Sequence, residues 1–271
     1  MIFAKDKGRM CNNILQYGHL YAWAREHGQR CVSMRFCYKY QYFKICHTPW
    51  HNFFTYLFAK YGAKWGLIPS ISFNDESEDM SVKEQWMLNH KTFVAEGWYV
   101  RFYDLFEKYK QEIIQQFAFD PVIIQKAQEQ ISNEAENSLR LGIHIRRGDY
   151  KTWYGGRYFY DDNVYINYIQ QFQQLFPDRH ITVYICSNDP QLNHTVYTQQ
   201  LKDMDVVFPA GGQAEDLCLL SMCNYLIGAP STFSLVAAMY QDTPLCWMEN
   251  ADIQLTEKSF DKFNTLFRNI K

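Results

Sequence analysis

Apolar and polar residues along this chain fall in blocks that switch between the periods of helix and strand. The opening Met1-Ile2-Phe3-Ala4 is a short apolar run, cut off at once by Lys5, Asp6 and Lys7, and reads as a first strand. A helical rhythm follows over 12–27 and stops at Gly28, a residue suited to a helix end. Residues 29–36 read as a second strand. Over 50–98 the aromatics fall without a period, and the pattern assigns no element there. Helical spacing returns over 101–117 and over 121–133, the latter opened by Pro121, whose missing N–H is no loss in a first turn. The second half is more regular. Strands are expected at 139–145, 181–186, 225–227 and 245–248, with helices at 164–176, 213–222, 232–240 and 258–270. Strands alternating with helices call for parallel sheets with crossover helices, an α/β fold. The polar run 132–138 marks a boundary between lobes. It gives an N-terminal lobe over 1–135, a C-terminal lobe over 136–250, and a closing segment, 251–271, expected to pack back on the first lobe. Ligands of such folds lie at the carboxyl ends of the strands.

Composition narrows the classes. With 47% hydrophobic residues in 271, the chain can build a real core, which excludes disorder for the whole. The formal charge of -2 and the lack of an evident basic stripe weigh against nucleic acid as a partner. None of the eight cysteines forms a Cys-x-x-Cys pair, so buried thiols in a reducing compartment are expected. A zinc site from Cys31, Cys37, Cys46 and His47 has the wrong spacing for the common modules. The N-terminus lacks the form of a signal peptide, and no transmembrane segment is expected. A cytoplasmic location follows as the expectation, and peripheral membrane association stays compatible with it.

The chemistry concentrates after the expected strands. His144-Ile145-Arg146-Arg147-Gly148-Asp149-Tyr150 leaves the apolar run at 139–145. Two guanidinium forks at a strand exit, with a glycine beside them, suit clustered phosphate oxygens. Gly8-Arg9-Met10-Cys11-Asn12-Asn13 joins the first strand to the first helix, where free backbone N–H groups can face a phosphate. Asn12 also suits a helix N-cap. Glu215-Asp216-Leu217-Cys218 opens one later helix, and Pro230-Ser231-Thr232-Phe233-Ser234 opens another. Asp216 can accept from guanine N1–H and N2–H together. Ser231 and Thr232 at a helix start offer hydroxyls, N–H groups and the dipole to a phosphate. Ser187-Asn188-Asp189-Pro190 is a further turn after a strand. Asp203-Met204-Asp205 has the form of a metal-binding Asp-x-Asp but reads as a solvated turn.

Taken together, these motifs resemble the α-1,2-fucosyltransferase family of bacteria and animals, glycosyltransferase family 11. His-x-Arg-Arg-Gly-Asp-Tyr is similar to its signature, and the openings at Gly8 and Glu215 and the Ser-Thr-Phe-Ser run are similar to its other segments. The resemblance implies a GT-B type fold, two Rossmann-like lobes with the donor site in the cleft. It implies inverting transfer of fucose from GDP-fucose to a glycan acceptor, by default O-2 of a galactoside, with no cofactor and no metal. It places Arg146 at the β-phosphate, with Arg147, Ser231, Thr232, Phe233, Asn12 and Asp216 binding the donor. Asp149 and His144 are both candidates for the base. The N-terminal lobe, and its aromatic stretch 38–61, is expected to read the acceptor. A fucosyltransferase of another linkage and a non-catalytic binder of glycans or nucleotide sugars remain alternatives.

Overall fold

A computed structural model describes residues 1–5, 7–131 and 138–270 of the chain. It divides into two units, Met1–Asp120 and Pro121–Lys271.

The first unit holds a four-stranded, all-parallel sheet in the order β2-β1-β4-β3. Its strands are β1 (Ile2–Lys5), β2 (Cys31–Ser33), β3 (Ser70–Ser72) and β4 (Phe93–Glu96). Between them run α1 (Met10–Glu26), α2 (Phe53–Lys64) and α3 (Met80–Leu88), followed by α4 (Tyr103–Lys108) and α5 (Lys110–Gln116). The expected strand at 29–36 shrinks to Cys31–Ser33, because the chain turns after Ser33 and its hydroxyl takes the N–H of Phe36. The single helix expected over 101–117 breaks at Tyr109 (φ -104°, ψ 12°) into α4 and α5.

The second unit opens with α6 (Pro121–Gln128) and holds a five-stranded parallel sheet in the order β7-β6-β5-β8-β9. These strands are β5 (Ser138–Ile145), β6 (His180–Ser187), β7 (Asp205–Val207), β8 (Tyr225–Gly228) and β9 (Leu245–Trp247). The helices are α7 (Asp162–Leu175), α8 (His194–Gln200), α9 (Gln213–Ser221), α10 (Thr232–Met239) and α11 (Phe263–Arg268). The boundary stretch expected at 132–138 lies, apart from Ser138, outside the described residues. The closing segment groups with this unit: Leu245 and Asp261 exchange backbone hydrogen bonds, and α11 lies against α10.

β5 is central in its sheet, and its two faces differ. Leu139, Leu141, Ile143 and Ile145 point one way into the larger core, with Ile181, Val183 and Ile185 of β6 and the buried Tyr165, Tyr168 and Phe172 of α7. Gly142 and His144 point the other way. A Cβ on Gly142 would press on the side chains of Leu226 on β8 and Leu220 on α9, so the glycine lets α9 lie close to the strand. The sheet-facing side of α9 and α10 is wholly buried, with Leu217, Leu220, Leu235 and Val236 among its members.

Candidate active site

The register of β5 gathers the site. His144 pairs with Cys186 on β6 and with Gly228 on β8, so these three positions form one row at the carboxyl end of the sheet. His144 is buried and stacks on Phe233 of α10, ring centroids 4.7 Å apart and 25° between planes. Burial, helped by the positive charge of Arg146, pushes its pKa down to about 3. Its Nδ1 has no hydrogen-bond partner among the described residues. A neutral, buried ring of this kind is a poor proton acceptor, which weighs against His144 as a base.

Arg146 and Arg147 leave the strand in opposite settings. An Arg146 amino group pairs with Asp149 at 2.9 Å, and its guanidinium carbon lies 5.5 Å over the Tyr150 ring. Its Nε–H, like that of Arg147, is buried without a partner among the described residues. Arg147 is clamped: one amino group pairs with Asp189 at 3.1 Å and the other with Asp162. Asp162 also accepts from the Tyr197 hydroxyl at 2.8 Å. The backbone N–H of Arg147 donates to Asn188 Oδ1 at 2.8 Å. The turn at 187–190 therefore fixes the arginine motif through Asn188 and Asp189. Gly148 then turns the chain with φ +62°, a conformation glycine takes without strain. The two arginines expected to share one task are thus divided by their partners alone: Arg146 pairs with one carboxylate and Arg147 with two.

Tyr150 links this turn to α10, its hydroxyl donating to the carbonyl of Pro230. Ser231 caps α10, accepting the Phe233 N–H at 3.1 Å, so its hydroxyl proton and the first N–H groups of the helix stand at the strand ends. Thr232 begins the helix itself. Asp216 sits in the first turn of α9 beside the Cys186 thiol. Burial, and then the charge of Glu215, raise its pKa to about 7. Glu215 accepts from Gly212 N–H at 3.1 Å and pairs with Lys126 of α6 at 3.4 Å.

One edge of the second sheet thus brings together His144, Arg146, Asp149, Asp216, Ser231, Thr232 and Phe233. Asn12 lies in the first unit, inside α1, where the N-cap is Arg9 rather than Asn12. The loop before α1 is held by other amides. Gln16 takes the Lys7 N–H at 3.1 Å and returns a hydrogen bond to the Lys7 carbonyl at 2.7 Å, and Asn13 donates to the Arg9 carbonyl at 2.9 Å. Asp205 of the Asp-x-Asp pairs with His180 at 2.8 Å. Among the described residues no group of three or more His, Cys, Asp or Glu is arranged to hold a metal ion. All eight cysteines are buried. Sequence reasoning missed Asp162, which carries Arg147 from the start of a helix 15 residues away and has no local signal. It also missed Cys186, whose only clue was its place at a strand end.

Three comparisons bear on this arrangement. Residues 77–264, more than two thirds of the chain, match the family described as Glycosyl transferase family 11. The galactoside alpha-(1,2)-fucosyltransferase 2 of Gorilla gorilla gorilla is 28% identical over 165 residues, covering 52% of this chain and 45% of that protein. The match spans under half of that relative's length. Among solved structures, FUT1 of Arabidopsis thaliana in complex with GDP superposes with a TM-score of 0.63 at 11% identity, covering 96% of this chain and 73% of that one. The fucosyltransferase NodZ from Bradyrhizobium gives 0.55 at 11%, covering 91% and 95%. At such identity the likeness carries the fold alone, which is of the GT-B type.

Proposed function

The chain belongs to glycosyl transferase family 11, and from that premise we propose that it transfers L-fucose from GDP-β-L-fucose, with inversion, to O-2 of a galactoside within a glycan. One observation carries the reading. At the carboxyl end of β5 the Arg146 guanidinium is 13% exposed and has one carboxylate partner, its buried Nε–H without an acceptor among the described residues, while Tyr150 ties the same turn to the capped start of α10. Such a site supplies positive charge and N–H donors to a diphosphate without the aid of a metal ion.

In this reading the acceptor oxygen attacks the anomeric carbon from the face opposite the phosphate. The bond from that carbon to the β-phosphate oxygen breaks, and GDP leaves with the electron pair. Arg146, the Ser231 hydroxyl and the N-terminal N–H groups of α10 meet the charge that develops on the β-phosphate. Arg147 holds the turn in place from behind. In this reading Asp149 takes the acceptor proton, a role supported by its exposure and its pairing with Arg146. His144 keeps Phe233 seated as a neutral ring. Asp216 reads guanine as a carboxylate, accepting N1–H and N2–H, so donor binding draws off the proton that burial favours.

Calorimetry with GDP tests the assignment. Micromolar uptake by the wild-type protein and loss of most of it in Asp216→Ala are expected. Equal uptake of ADP and GDP would remove the role given to Asp216.

A further inference from the structure

α2 is built inside out. Its small residues Ala59 and Gly62 face the sheet, and a Cβ on Gly62 would collide with Ile68. Its large residues face solvent: Phe54 is 82% exposed, Phe58 62%, Trp65 68%, and Leu67 beyond the helix 75%. At 100° per residue, Phe54, Phe58, Tyr61 and Trp65 fall within a strip about 60° wide. A contiguous exposed apolar strip of this kind on a folded domain marks an interaction surface.

The charge around the strip says what it meets. From residue 27 to residue 74 the sequence carries Arg30, Arg35, Lys39, Lys44, Lys60 and Lys64 and no aspartate or glutamate, in a chain whose acidic residues outnumber its basic ones 29 to 27. The near-balanced total concealed this block. Lys60 and Lys64 follow the strip along one flank of the helix. The Lys60 ammonium lies over the rings of Tyr56 and Tyr61, at 5.4 and 5.6 Å. Tyr38 packs on Tyr56 at 4.4 Å and accepts from Arg35 at 3.1 Å, while Arg30 lies 4.4 Å over the exposed Trp50. A carboxylate from outside the block does reach it at His47, paired with Asp120. Aromatic side chains interleaved with cations, on a helix whose apolar face looks outward, match the interface of an anionic bilayer. There the rings sit at headgroup depth and the lysines meet acidic lipid.

We propose that α2 and its basic flank dock this unit on an anionic membrane surface. The proposal goes beyond the sugar-transfer reading and does not rest on it. Sedimentation with vesicles of phosphatidylcholine alone, or mixed with phosphatidylglycerol, tests it. The wild-type chain is expected to bind the mixed vesicles at least about tenfold more tightly, and salt at about 0.5 M should weaken that preference. Lys60→Glu with Lys64→Glu should abolish the preference, and Phe54→Ser with Trp65→Ser should weaken binding to both vesicle types. Both double variants should take up GDP as the wild type does. Equal binding to neutral and anionic vesicles, or no binding, would overturn the proposal. So would a wild-type dimer that Phe54→Ser with Trp65→Ser converts to monomer, or vesicle binding that either double variant leaves intact. Vesicle binding without GDP uptake would uphold this surface and remove the transfer reading instead.

Discussion

Arg146 and Arg147 are adjacent in sequence, yet substitution should separate them cleanly. Arg146 has one carboxylate partner and a buried Nε–H with none, so Arg146→Ala should lower transfer on the order of a hundred- to a thousandfold and barely move the melting temperature. Arg147 holds Asp162 and Asp189, and Arg147→Ala leaves two partly buried carboxylates without their counter-charge. A loss of about 2 kcal/mol is expected, less than for a fully buried pair because solvent reaches both acids. Urea melts and initial rates on the two variants check this. Asp216 couples function to stability through its raised pKa of about 7. A carboxyl raised in the fold adds most stability below its unfolded pKa, and that contribution is lost as pH rises through the folded value. Asp216→Asn should therefore stabilise the protein at pH 8 by about 1 kcal/mol, or roughly 2–4 °C. The same change should cost GDP affinity. GDP binding by the wild type should weaken about tenfold per pH unit below 7, as the carboxylate takes up a proton.

Elements with buried faces were legible, and those without were not. β5, β6 and β8 are apolar runs in the middle of a covered sheet and β9 is an apolar run at its edge, and the ends of β5 and β8 locate Arg146, Ser231 and Phe233 together. The stretch 50–98 was unreadable because α2 sends its aromatics outward and its small residues inward, which reverses the pattern that marks a helix in sequence. β3 has three residues, too few to show a period. Nothing in the local sequence announced the break at Tyr109, where the hydroxyl reaches Glu26 at 2.7 Å. Pairing of Arg147 with Asp162 depended on the fold. Packing around α1 is equally unforgiving: a Cβ on Gly18 would collide with the fully buried Phe106 ring of α4. Gly18→Val should cost about 2–3 kcal/mol by overpacking, read from the urea midpoint.

Over the whole molecule, acid should unfold the two units unequally. His19 and His51 lie in the first unit. Burial, and for His19 also Arg101, lowers their pKa values to about 3 and about 4. Both already accept backbone N–H groups as neutral rings, from Phe102 at 3.0 Å and from Ser33 at 3.1 Å. Depressed histidines stabilise the fold above their unfolded pKa and lose that contribution as pH falls toward the folded one. From about pH 6.5 down to pH 4.5, the first unit should lose up to about 2.7 kcal/mol per pH unit. In the second unit the low pKa of His144 and the high pKa of Asp216 act in opposite directions and largely cancel. Hydrogen exchange at pH 7.5 and 5.5 should show protection lost first in α1 and the strands beside it, with β5 and β6 retained. The central claim, that this edge of the second sheet moves fucose from GDP, is tested most directly by nuclear magnetic resonance of the product from GDP-fucose and a simple galactoside. The account predicts an α-fucoside at O-2 that Arg146→Ala forms on the order of a hundred- to a thousandfold more slowly. A β-linked product, or equal product from wild type and Arg146→Ala, would contradict it.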